Sequence, residues 1–337
     1  MRQTPKESSF CCRFCGGNEA TEIITYKHIW LSCNNCRNIV RNLRDRFPLE
    51  FIPRWVQWLF GRFDSKNSLN PREIRSKLYY VLGHWEKGNI YDYYLDEDQS
   101  IRGGYNLSSK GTKWEGESEY VQDELNGWGV LLKDKKVIEI SGGPGYFAKE
   151  LSPVSRKWVV TEYSQVSAER MRNILGLEAI KFDFNSDDLS KIVDDTFDIV
   201  LLRHCINFCS DIRKFLGSIK RVIHKDTVIY CSFTQPTFAS CLRWSVDDYT
   251  FPILYHPETI QKLFAEEGFI AFGKKEQGTR HWIYGGYWMT GGVHWGHVMT
   301  SPVTIPYYFL NRFKNIDVST REKNLAMIFR KNPDARW

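Results

Sequence analysis

Runs of apolar, largely β-branched residues alternate with helical stretches between residues 136 and 233, and this alternation constrains the fold most strongly. Lys136-Val137-Ile138-Glu139-Ile140 is bounded by turn residues and reads as a buried strand. It leads into Ser141-Gly142-Gly143-Pro144-Gly145-Tyr146-Phe147 and a helical stretch through Leu151. Further strands are expected at 158–161, 179–182, 197–202 and 227–233, the last after a helical stretch at 212–223. Strands alternating with helices in this way predict an α/β fold with a mostly parallel, doubly covered sheet. Downstream, Pro257 near a helix start and Gly268 after its end predict a helix leading into a sixth strand. A last strand is expected at 325–329.

The N-terminal part obeys a different rule. Cys12-Arg-Phe-Cys15 is followed, after 17 intervening residues, by Cys33-Asn-Asn-Cys36. Two Cys-x-x-Cys pairs at that separation fit a four-thiolate zinc site, each pair forming a knuckle that offers two sulfurs. Cys11 is the expected spare, with a Cys11/Cys15 pairing as the alternative. The segment 22–32 is expected to be a strand returning the second pair to the first. A closed four-sulfur shell leaves no open position, so the metal is expected to staple the fold. Cys205, Cys209, Cys231 and Cys241 stand in apolar surroundings and are expected in the core. The polar start, residues 1–9, predicts no secretory leader and a cytoplasmic location, which disfavours disulfides.

Charge is distributed unevenly. The formal net charge is +6, and residues 1–75 hold 13 basic against 7 acidic side chains, so the whole excess lies there. Arg37, Arg41, Arg44 and Arg46, interleaved with Ile39, Val40, Leu43 and Phe47, have the spacing of an amphipathic helix. Such a helix could dock on the main domain, bind nucleic acid, or lie with the apolar stretch 51–63 in a membrane interface. No run of about 18 apolar residues is present, so no spanning helix is expected.

A strand, a glycine turn and a helix form the first unit of a nucleotide-binding sheet, in which the glycines permit close backbone approach and the turn amides are expected to face the ligand. Glu162, at the end of the second strand and 23 residues after Glu139, is placed to accept hydrogen bonds from ribose hydroxyls, with Tyr163 beside it. Asp183 and Phe184, after the third strand, could grip an adenine. Arg203-His204 ends the fourth strand.

Together these residues resemble a class I S-adenosylmethionine-dependent methyltransferase over about residues 120–273 plus the last strand. The family's first motif, acidic-x-Gly-x-Gly-x-Gly, reads here Glu139-Ile140-Ser141-Gly142-Gly143-Pro144-Gly145, with Ser141 in place of the first glycine. Its fourth motif, often His-Val-Leu-Glu-His, reads His204-Cys205-Ile206-Asn207-Phe208. The resemblance implies a Rossmann-like seven-stranded core with Glu139, Ser141, Gly142, Gly143, Gly145, Glu162, Tyr163, Asp183, Phe184 and His204 around S-adenosylmethionine. A dehydrogenase is the alternative that the glycine turn allows, and a non-catalytic relative with the same fold is another.

Paired cysteines followed by a tyrosine-rich stretch, here Tyr91-Asp92-Tyr93-Tyr94, resemble a bacterial subgroup containing sugar and natural-product methyltransferases. That resemblance implies a small-molecule acceptor, a sugar or saccharide intermediate. RNA methylation through the basic N-terminus is the alternative. An oxygen or carbon acceptor needs a general base; His204 is the first candidate, and shaping the methionine pocket is its competing role. Tyr93, Tyr94 and Tyr105 are further candidates. Trp244 and Tyr249 are expected either to line an acceptor pocket or to pack, and His294 with His297 to be a partly buried pair. The expected organisation is a zinc ribbon at 1–47, a connector at 48–120, a catalytic core at 121–273 and 323–333, and an aromatic-rich insertion at 274–322.

Overall fold

The computed structural model describes residues 10–24, 28–46, 116–238, 240–241, 253–277 and 323–335. The segment 51–63, the tyrosines at 91–94, Tyr105, Trp244, Tyr249, His294, His297 and the insertion from 278 lie outside the described residues.

Seven strands form one sheet: β4 (Lys136–Ile140), β5 (Lys157–Glu162), β6 (Glu178–Lys181), β7 (Phe197–Arg203), β8 (Ile223–Thr234), β10 (Phe269–Gln277) and β11 (Asn324–Lys331). Their order is β10-β11-β8-β7-β4-β5-β6. The pairs from β8 to β6 are parallel, while β11 enters antiparallel to both β8 and β10. The chain leaves β4 toward β5 and β6, then crosses back to β7 on the other side. Strand order therefore reverses at β4, the topological switch point where ligands of open α/β sheets bind.

Both faces of the sheet are covered. Helices α1 (Glu117–Gly127), α2 (Tyr146–Leu151) and α3 (Gln165–Asn173) pack Val121, Leu125, Phe147, Ala148, Ala168 and Met171 on one face, against Val137, Val160 and Leu201. On the other face α4 (Ile212–Ile219) and α5 (Pro257–Glu266) bring Phe215, Leu216, Ile260 and Phe264 onto Ile138, Val200 and Ile229. Val137 and Ile138 thus serve opposite faces. Burial on both sides is why these strands read as continuous apolar runs rather than as alternating ones.

A second sheet has the order β1-β2-β3-β9, from β1 (Ala20–Ile24), β2 (His28–Cys33), β3 (Ile39–Arg46) and β9 (Ile253–Leu254). Two expectations are corrected here. The segment 22–32 spans two strands of an antiparallel hairpin rather than one. The arginine-rich segment is a strand, not a helix. Its partners explain the misleading spacing: His28 faces Arg46 while Trp30 faces Arg41, so two residues of β2 span five of β3. That bulge breaks the period of two, and pairing with β2 and β9 overrides local pattern. Strand β9 is contributed from beyond β8, so the N-terminal module and the main domain share one sheet.

Cys205, Cys209, Cys231 and Cys241 are buried, and burial pushes the thiols of all four upward. They are core residues, as their setting predicts.

Candidate functional site

The glycine turn follows β4 at the switch point. Ser141, Gly143 and Gly145 have φ of 57°, 60° and 79°, so three residues of this turn are left-handed. Ser141 occupies the place of the missing glycine and adopts the conformation a glycine would favour. The glycines differ in what surrounds them. A Cβ at Gly142 would lie 2.3 Å from Val160, and one at Gly145 would lie 2.7 Å from Met171. At Gly143 a Cβ would meet nothing within 4 Å. Packing thus requires the first two, whereas Gly143 alone turns its Cα toward open space.

Three amides of the turn have acceptors within the protein. Gly142 N–H donates to the Thr161 carbonyl at 3.0 Å and Gly145 N–H to the Gly142 carbonyl at 3.1 Å. Gly143 N–H donates to Glu162 Oε2 at 2.8 Å. The Gly142 and Gly143 donors hold the turn against β5, and the Gly145 donor closes the turn on itself.

Glu162 is 4% exposed and does more than the sequence suggests. Oε1 accepts from the amides of Tyr163 at 2.9 Å and Ser164 at 3.4 Å. Burial raises its pKa, against the opposing pull of these N–H groups and that of Gly143. A carboxylate offers about four acceptor positions, and three N–H groups leave capacity for a hydroxyl donor. Ser164 then caps α3 by accepting from Ser167 N–H at 3.2 Å.

After β6, Asp183 Oδ1 accepts from Asn185 N–H at 2.9 Å, and Oδ2 from the Ser186 hydroxyl at 3.2 Å. Phe184 is 8% exposed and packs on Phe215 with ring centroids 5.5 Å apart. Of the expected adenine pair, Asp183 is partly exposed and Phe184 belongs to the core.

Across the switch point, β7 ends in Arg203 and His204. His204 is half-buried with a φ of 51°, and its N–H donates to the Ser232 carbonyl at 2.9 Å. Arg203 has no assigned role in the sequence reading, yet it organises the floor of this region. Its guanidinium pairs with Glu139 at 2.8 Å and with Glu117 of α1, and lies 3.7 Å from the Phe147 ring centroid. Glu139 is buried, and burial pushes its carboxyl up to about 7, with Arg203 opposing and Glu117 adding to the rise. Partners 64 and 86 positions apart carry no periodic signal. In the sequence the cluster shows only as two charged residues on apolar strands, Glu139 of the glycine motif and Arg203 at the end of β7, with nothing to pair them.

The second candidate site is the cysteine cluster. The sulfurs of Cys12, Cys15, Cys33 and Cys36 lie within 4.8 Å of one another, with Cys12–Cys36 and Cys15–Cys33 each at 3.6 Å. A tetrahedral ion with metal–sulfur bonds of about 2.3 Å requires sulfurs roughly 3.8 Å apart. Disulfides need about 2.05 Å. The donor set therefore fits zinc. Both knuckles share one geometry: Gly16 N–H returns to Cys12 O at 2.8 Å and Arg37 N–H to Cys33 O at 2.9 Å, each of these residues being left-handed. Cys11 is exposed and stands outside the cluster.

Residues 114–270 match the family model described as a methyltransferase domain. A curated relative, the uncharacterized methyltransferase YcgJ of Bacillus subtilis strain 168, is 25% identical over 107 residues. That match spans 42% of the relative's length and 29% of this chain. The crystal structure of YcgJ has a TM-score of 0.44 at 15% identity, covering 64% of this chain and 99% of that one. The N-methyltransferase NodS of Bradyrhizobium japonicum, solved with S-adenosyl-L-homocysteine, has a TM-score of 0.44 at 14% identity, covering 72% and 96%. Within residues 114–270, the glycine turn, Glu162, Asp183 and His204 all stand at the carboxyl ends of neighbouring parallel strands. Among the described residues, no helix is long and apolar enough to cross a membrane.

Proposed function

We propose that this protein is an S-adenosylmethionine-dependent methyltransferase acting on a small-molecule acceptor, a sugar or saccharide intermediate, with a structural zinc ion in its N-terminal module. The observation that carries the donor assignment is the turn 141–145 at the switch point, braced by Glu162 and open only at Gly143. The family match over 114–270 supports it. The acceptor class rests on the resemblance of the paired-cysteine module and tyrosine-rich stretch to sugar methyltransferases.

When bound, the cofactor supplies an electrophilic methyl group on a sulfonium. Gly143 leaves room for it, Glu162 would hold ribose hydroxyls, and Asp183 would hold the adenine side. Ser141, Gly142, Gly145, Glu139 and Tyr163 keep the turn and its neighbours in place. Alignment of donor and acceptor supplies much of the acceleration in such a displacement. His204 would remove the proton of an oxygen or carbon acceptor. Cys12, Cys15, Cys33 and Cys36 would hold zinc in a closed shell, a role in folding rather than in chemistry.

Calorimetric titration with S-adenosylhomocysteine tests the donor reading, and saturable binding that weakens in Glu162→Ala is expected. Absence of binding to folded, zinc-loaded protein would overturn it. An acceptor screen with labelled donor, comparing nucleotide sugars with RNA, tests the acceptor reading.

A further inference from the structure

The sequence places Asn207 where the resembled motif has an acidic residue, and gives it no task. In the structure it is fully buried in the turn that follows β7. Its side-chain amide donates to the carbonyls of Ile253 at 2.9 Å and Thr234 at 3.2 Å, while its oxygen accepts from Thr234 N–H at 3.2 Å. Both donors are used. Thr234 ends β8 of the main sheet, whereas Ile253 belongs to β9, which pairs with β3 of the cysteine module.

The other side of β9 leads directly to the thiolates. Asn38 accepts from His256 N–H through its side chain at 2.8 Å, and from Cys33 N–H through its carbonyl at 3.0 Å. Phe14, between Cys12 and Cys15, packs edge-on against Tyr255 at 5.3 Å. The Tyr255 hydroxyl donates to the Cys209 carbonyl at 2.9 Å, at the far end of the same turn. Each knuckle is thus joined to residues 204–209 through the segment 253–256.

We propose that Asn207 is a positioning residue through which the metal-loaded cysteine module holds the His204 turn in place for the methyltransferase site. The inference rests on the zinc and donor readings above. It makes the module a part of the crevice wall, although its thiolates take no part in the chemistry. Two side-chain donors and one acceptor tie three backbone groups from two sheets, so Asn207, with Tyr255, links the position of β9 to that of the turn by hydrogen bonds.

The test is a cycle of metal removal and substitution in the full chain. Hydrogen exchange at residues 204–210, zinc content and S-adenosylhomocysteine affinity are measured for wild type, Asn207→Ala and Tyr255→Phe, before and after chelator treatment. In wild type, removing zinc should speed exchange of the Phe208 and Cys209 amides and weaken cofactor-product binding by about five- to tenfold. Asn207→Ala should keep one zinc per chain yet already show both effects, with little added by the chelator. Tyr255→Phe should show the same pattern more weakly, and it decides the matter if Asn207→Ala does not fold. Multiplying effects, or a turn indifferent to zinc removal in wild type, would overturn the proposal. Protein that takes up no zinc would instead refute the zinc reading, and this inference with it. Wild type that fails to bind S-adenosylhomocysteine would refute only the donor reading, since the exchange measurements still decide the coupling.

Discussion

Glu162 Oε2 accepts the amide proton of Gly143 across 2.8 Å, tying the end of β5 to the turn after β4. One carboxylate therefore shapes the turn, and it is the same group proposed to hold the ribose. A hydrogen bond to a charged group is worth about 1.5–3 kcal/mol, so Glu162→Ala should weaken S-adenosylhomocysteine binding by about tenfold or more. Glu162→Gln, which keeps an acceptor but no charge, should fall between. Calorimetric titration of the three proteins reads the order.

Gly143 and Gly145 should separate binding from stability. Both are left-handed, which costs a substituted alanine about 1–2 kcal/mol. Gly145→Ala also drives a Cβ into Met171, so it should melt well below wild type. Gly143→Ala meets open space and should lose only the conformational cost, yet abolish S-adenosylhomocysteine binding because its methyl enters the crevice. Thermal melts beside titrations check both outcomes.

Burial places the Glu139 carboxyl near 7, above its ordinary 4.5. The folded protein thus holds a proton that the unfolded chain releases, and stability from this group is complete below about 4.5 and lost as pH rises through 7. Glu139→Gln removes this dependence. The melting temperature of the variant minus that of wild type should therefore increase steadily between pH 5 and pH 8. A flat difference would contradict the assignment.

Metal analysis should find one zinc per chain, or one cobalt with thiolate charge-transfer bands after exchange. Cys33→Ser should lose the metal and melt several degrees lower, because binding to a closed thiolate shell adds directly to folding free energy. Cys11→Ser and Cys209→Ser should retain full metal content, the first because its thiol stands outside the cluster and the second because it lies in the core.

The alternation of apolar runs and helical stretches from residue 136 onward was enough to place the strands of the main sheet to within a few residues, save for an earlier start to β8, because burial on both faces stamps a continuous apolar signal on the central strands β4, β5 and β7. Cysteine spacing was enough to name the four clustered thiols, because a knuckle is a local turn. Three features needed the tertiary structure. Strand β3 owes its conformation to pairing with β2 and β9, which its own spacing contradicts. The amides of Gly142 and Gly143 meet the Thr161 carbonyl and the Glu162 carboxylate, because β5, a separate strand, brings both acceptors to the turn. Arg203 and Asn207 gain their partners across 64 to 86 and 27 to 46 positions, respectively. Local periodicity reports which face of an element is buried; which charged and amide groups meet inside is decided only when the sheets close over them.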